Sequence, residues 1–141
     1  MSISLKEVKK FANDWFHTVA NGGTGDDQAK FHLHRDARIF TGDGVSFTLD
    51  EHHKLHQQWI NEKHVFGPLE LTKIHDNPER VRINGTVYWE ATQRAESQSL
   101  IIIKMIVGET WYIEKTSRGL RFVLYISGPF HPLPDSSPLN L

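Results

Sequence analysis

A chain of 141 residues with 16 Lys and Arg against 17 Asp and Glu carries a net charge of −1. It reads as one domain, residues 1–141, with no basic face for nucleic acid or an anionic membrane. Cysteine is absent, which excludes disulfides, thiolate metal centres and cysteine nucleophiles. The N-terminal stretch carries charges every few residues, and the longest apolar run, LIIIKMIV, is too short and interrupted to span a bilayer. The expectation is a soluble cytoplasmic protein.

The first helix is marked by a capping box, Ser4 with Glu7, and by Ile3 and Val8 at the staple positions. Leu5, Val8, Ala12, Trp15 and Val19 recur at helical spacing, and NGG at residues 21–23 ends the run. A shorter helix follows, capped by Thr24 or Asp26 and running to about His34. His32 and His34 at its end diverge by about 200° and do not chelate together. DARIFTGDGVSF reads as a strand and turn.

A third helix opens with the capping box Thr48 and Glu51 and is expected to run to about Glu62. At about 100° per residue, Leu49, Leu55, Trp59 and Ile60 share one half of it. His52 and His56 lie inside that half, His53 at its edge, and Glu62 on the polar side. Three readings stand: histidines hydrogen-bonded in the core, histidines lining a ligand pocket as donors or as an acid/base pair, or an i, i+4 metal pair awaiting a third ligand. His32, His34, Asp43 and Glu90 are the residues that could supply that ligand.

From there the texture changes. LELTKI, RVRINGTVYWEATQ, SLIIIKMIV, TWYIEK and LRFVLYI are rich in β-branched and aromatic residues and are divided by turn signals. Helices first and then an antiparallel meander make an α+β domain with helices on one face of the sheet. In VRINGTVYWEATQ, Val81, Ile83, Val87, Trp89 and Ala91 share one face. Arg82, Asn84, Thr86, Tyr88, Glu90 and Thr92 share the other, which resembles a cavity wall. In LIIIKMIV, Ile101, Ile103, Met105 and Val107 oppose Leu100, Ile102, Lys104 and Ile106, so both faces need cover. Helices cover one, and a homodimer built on the outer sheet surface covers the other. The tail from residue 128 to 141, with four prolines, is expected to be irregular.

The helix ending WFHTVANGG, the segment HRDARIF, the helix LDEHHKLHQQW, VYWEAT and the GETWYIEK…GLRFVLY hairpin together resemble the nuclear transport factor 2-like superfamily and, within it, the SnoaL-like branch. The likeness extends over almost the whole chain. It implies a cone-shaped α+β fold, also described as cystatin-like, whose curved antiparallel sheet wraps a pocket and is covered by three helices. It also implies a common dimer, and activities ranging from isomerases, dehydratases, epoxide hydrolases and cyclases to non-enzymatic ligand-binding domains. The position of the ketosteroid isomerase base falls on Thr41, and that of its helix tyrosine near Trp15 or Phe16, so isomerisation by that residue set is not expected.

The resulting expectation is a cavity for a small, largely apolar or aromatic ligand, with cofactor-free acid/base chemistry and no resident metal. His52 and His56, with Glu90 or Asp43, are the candidate catalytic groups. Trp15, Trp59, Tyr88, Trp89, Trp111 and Tyr125 are the candidate ligand contacts. The competing readings are a binding or interaction domain without turnover, and a metal-dependent hydrolase using His52 and His56.

Overall fold

A computed structural model describes residues 3–93 and 101–139 of the chain. Its first helix, α1 (Leu5–Ala20), begins where the Ser4 hydroxyl accepts the Glu7 amide at 3.2 Å. It buries Val8, Ala12, Trp15, Phe16 and Val19, the face that the helical spacing singled out. Gly22, with φ +80°, takes the left-handed conformation that lets the chain leave the helix.

The second helix, α2 (Gly25–Ala29), has a complete capping box between Thr24 and Asp27. It stops well short of His34. The Phe31 carbonyl accepts the Phe122 amide at 2.7 Å, and the Leu33 amide donates to the Phe122 carbonyl at 3.1 Å. Residues 31–33 thus leave the helix for a parallel bridge to the last strand. His32 is buried and His34 exposed, so they do not form a pair.

Strands β1 (Arg38–Thr41) and β2 (Ser46–Thr48) form a hairpin that leads into α3 (Leu49–His56). The capping box of Thr48 and Glu51 is in place, but α3 covers eight residues instead of fifteen. Trp59 already belongs to β3 (Trp59–Lys73), where it pairs with Gln93. Sheet pairing and the β preference of Trp59 and Ile60 override the helical period. A register shift between Ile60 and Lys63, with Asn61 at φ +53°, moves the strand's alternation by one residue. Trp59, Glu62, His64 and Phe66 therefore all turn to the inner side.

Three long strands complete the sheet: β4 (Arg80–Gln93), β5 (Ile101–Thr116) and β6 (Gly119–Pro132). The order is β2-β1-β6-β5-β4-β3, antiparallel except for the β1–β6 pair. IIIKMIV and TWYIEK, separate in the sequence reading, are parts of one strand, Ile101–Thr116, that runs through Gly108. The tail is ordered further than its prolines suggested, since β6 pairs with β5 as far as Pro132. Beyond it, the amides of Leu133 and Ser137 still donate to the carbonyls of Lys104 and Ile102. Leu100 and the last two residues of the tail lie outside the described residues.

The inner sheet face carries two apolar clusters. One joins Val8, Ala12, Trp15 and Phe16 to Ile83, Trp111, Ile113, Phe122 and Tyr125. The other gathers Trp59, Trp89, Ala91, Ile103, Met105 and Val107 with Leu55, Phe130 and Leu139. A cavity lies between them, with residues of both in its wall. Among the described residues no helix is long and apolar enough to cross a membrane.

Candidate functional site

The cavity is lined mostly by aromatic and aliphatic side chains and has about 60 Å³ of accessible space, room for roughly four or five waters. Trp15, His52, His56, Trp59, Trp89 and Tyr125, all expected at the site, line it. His64, Glu109, Thr41 and Ser127 add polar groups that sequence reasoning did not place there.

His52 and His56 point inward from successive turns of α3, with ring centroids 4.5 Å apart and planes near perpendicular. Each is held through Nδ1. The buried Gln28 amide donates through Nε2 to the Gly23 carbonyl at 3.1 Å, which leaves its Oε1 to accept from His52 Nδ1 at 2.8 Å. Burial pushes His52 well below the ordinary imidazole range and keeps it neutral. His56 Nδ1 lies 2.9 and 3.0 Å from the two carboxylate oxygens of Glu62. The Glu62 side chain is only 1% exposed and also accepts from the Trp89 indole at 3.0 Å. A carboxylate can only accept, so both partners donate to it. In the neutral ring of His56 this contact puts the proton on Nδ1 and the lone pair on Nε2, the tautomer a general base requires.

Glu109 comes from the middle of β5. Trp111 Nε1 donates to Oε2 at 3.2 Å, and the hydroxyls of Tyr125 and Ser127 approach Oε1 at 3.4 and 3.5 Å. Those donors favour the ionised carboxyl, but desolvation outweighs them and pushes its pKa up to about 8. At neutral pH Glu109 is therefore mostly an undissociated acid, able to give a proton. His64, stacked on Phe16 at 4.2 Å, is pushed down to about 4 by burial.

Four expected residues stand elsewhere. Asp43 is exposed in the β1–β2 turn, where the Thr41 hydroxyl and the Val45 amide hold its carboxyl below the usual range. Tyr88 and Glu90 occupy the outer sheet face. The Tyr88 hydroxyl donates to Glu90 at 2.8 Å, and Lys63 lies 3.5 Å from the same carboxylate. The alternation that puts Val87 and Trp89 inside puts these two outside. Trp111 is fully buried in the core, behind the cavity wall, where it donates to Glu109 and packs against Tyr125 and Phe16. Among the described residues no three His, Asp or Glu side chains converge as a metal-binding group.

No known family model and no curated protein matches the chain. Solved structures do match. A putative dehydratase from the NTF2-like family of Streptomyces avermitilis aligns with a TM-score of 0.71 at 7% identity, covering 92% of this chain and 96% of that one. A hexachlorocyclohexane dehydrochlorinase, LinA type 2, aligns at 0.68 and 13% identity over 96% and 92%. A protein from Nostoc punctiforme with a cystatin-like fold aligns at 0.62 and 10% identity over 96% and 98%. The chain has the nuclear transport factor 2-like fold, as its order of elements implied.

Proposed function

We propose that this protein is a cofactor-free acid/base catalyst of the SnoaL-like type that acts on a small ligand in the central cavity, by elimination or isomerisation. The observation that carries this reading is the meeting, on one apolar cavity, of an imidazole whose tautomer is fixed by Glu62 and a carboxyl that burial keeps protonated. His56 Nε2 removes a proton from carbon, and the C–H electron pair forms the new double bond. Glu109 gives its proton to the departing hydroxyl, which leaves as water, or in an isomerisation to a remote carbon. Return of the proton from His56 to Glu109 restores the resting state. Two of the fold relatives bear names that denote loss of water and of hydrogen chloride, which favours elimination. Imidazole reaches only C–H bonds made acidic by a neighbouring group.

The test is deuterium incorporation at the α-carbons of cyclohexanone in D2O, followed by proton NMR. The protein accelerates exchange, and His56→Ala abolishes the acceleration. Equal rates with and without protein overturn the reading and leave a binding domain without turnover. A second element is the homodimer through the outer sheet face. It is supported by the row Val65, Tyr88, Ile106 and His131, adjacent across four strands, in which Val65 is 58% exposed. Sedimentation equilibrium of the wild type and of Val65→Asp tests it: a dimer mass that falls to the monomer mass supports this interface.

A further inference from the structure

A groove with about 420 Å³ of accessible space runs between α1, the end of α2 and the β5–β6 turn, and it shares no lining residue with the central cavity. Its floor is apolar. Phe11, Phe31 and Leu120 are half-buried there, and Phe11 packs on Phe31 with ring centroids 5.7 Å apart. Its rim carries four cations, Lys10, Lys30, Lys115 and Arg121, against two acids, Glu7 and Asp14. Lys10 is taken up by Asp14 at 3.2 Å. Among the described residues none of the other three cations has an ion-pair partner. In a chain of net charge −1 this is a local excess of positive charge, and it attracts acidic partners.

Arg121 is half-buried, and its guanidinium donates to the Leu120 carbonyl at 2.7 Å. The carboxylate across the strand pair, Glu114, is already held by Arg80 at 2.7 Å. Burial, and then the charge of Arg118, hold Arg121 below the usual guanidinium range. The backbone beside it points to an extended partner. Phe122 turns its amide and carbonyl away from β5, to the Phe31 carbonyl and the Leu33 amide. Antiparallel pairs alternate, so Leu120, two residues earlier and opposite Lys115, also turns its amide away from β5. The Lys115 amide obeys the same alternation, donating on the opposite side to the Glu79 carbonyl at 2.8 Å. Strand β1 pairs with β6 only from Tyr125 to Ser127, so among the described residues no strand covers that edge at Leu120. A strand-like segment laid along it meets the amide with its own carbonyl.

We propose that this groove docks an acidic, extended peptide segment of another protein. One aromatic or aliphatic side chain of the segment rests on the floor of Phe11, Phe31 and Leu120, and its carboxylates face Lys30, Lys115 and Arg121. The apolar anchor and the strand edge distinguish such a partner from a bare polyanion, which has a use for neither. The inference goes beyond the acid/base reading of the central cavity and does not depend on it.

The test is a ¹⁵N HSQC titration of the full chain with the peptide EDFELED, blocked at both ends. Binding saturates below about 1 mM, the range of a short, weak segment, and shifts the amides of Phe31, Lys115 and Leu120. Replacing the peptide's acids by Gln and Asn, or its Phe and Leu by Ser, weakens it roughly tenfold. Lys115→Glu combined with Arg121→Glu weakens it by a similar factor, whereas Lys54→Glu, a charge change of the same kind on α3, costs less than about twofold. Raising salt from about 20 to about 200 mM lowers the wild-type affinity roughly fivefold, a readout that needs no variant to fold. Absence of saturation overturns the proposal, and so do shifts centred on another surface or equal binding of the uncharged or the Ser peptide. A folded double variant that binds as the wild type does also overturns it. So does an oligothymidylate that binds this face more tightly than the peptide, because the groove is then a polyanion site.

Discussion

Glu90 and Glu109 sit on adjacent strands of one sheet and meet opposite fates. Glu90, on the outer face, accepts the Tyr88 hydroxyl beside Lys63, and these contacts hold its carboxyl below the ordinary range. Glu109, on the inner face, is wrapped by Trp111, Tyr125 and Ser127, and burial raises it to about 8. The residue type is the same, and the pleat alone decides which side each takes. Acid/base capacity here is thus a property of the cavity and not of the carboxyl.

The largest expected effect comes from removing the inner acid. Glu109→Gln keeps the shape and lowers elimination by roughly a hundredfold or more, the usual weight of general acid catalysis, measured as initial rate once a turnover substrate is in hand. Glu62→Gln leaves His56 in place but weakens the tautomer lock, and reduces α-exchange by about tenfold, a loss read from the NMR assay.

Stability against pH sharpens the same contrast. Glu109 has a folded pKa above its unfolded value, so its contribution is fully present below about 4.5 and is lost as pH rises to about 8. His32 and His64, lowered to about 4, act in the opposite sense: their burial destabilises the fold below the ordinary imidazole pKa of about 6.5 and costs nothing above it. His52 adds in the same direction. Thermal unfolding should therefore rise with pH toward about 6.5 and fall between there and about 8. Glu109→Gln flattens the fall and steepens the rise between about 4.5 and 6.5. The smallest effect is that of Glu90→Gln, which shifts Tm by about 2 °C or less and leaves α-exchange unchanged.

The parts legible in the sequence were those set by local rules. The Ser4 cap and apolar stripe of α1, the cap at Thr24, the capping box at Thr48, and the alternation through Val81, Ile83, Val87, Trp89 and Ala91 all stand where the pattern put them. The position of His52 and His56 on the inward side of α3 was legible for the same reason. Glu62 was missed because the end of α3 is set by pairing of Trp59 with a strand more than thirty residues away, and the irregularity at Asn61 has no local signature. Glu109 was missed because the strand segments were read as ending at Val107 and resuming at Thr110, which left Gly108 and Glu109 between them. One signal was available: Val107, Glu109, Trp111 and Ile113 keep the period of two across that stretch, with a carboxyl among three residues of the core. On β4 the candidates were taken from both faces, and the pleat turns only Trp89 to the cavity while Tyr88 and Glu90 face outward.

The central claim is the divergence of the two carboxyls, and the most direct measurement is a carboxyl ¹³C NMR titration of the protein labelled at glutamate. Glu109, assigned through Glu109→Gln, titrates with a midpoint near 8 while Glu90, assigned through Glu90→Gln, titrates below the ordinary glutamate value. Titration of both together near 4.5 would contradict the account, because Glu109 would then be an ordinary carboxylate with no proton to give.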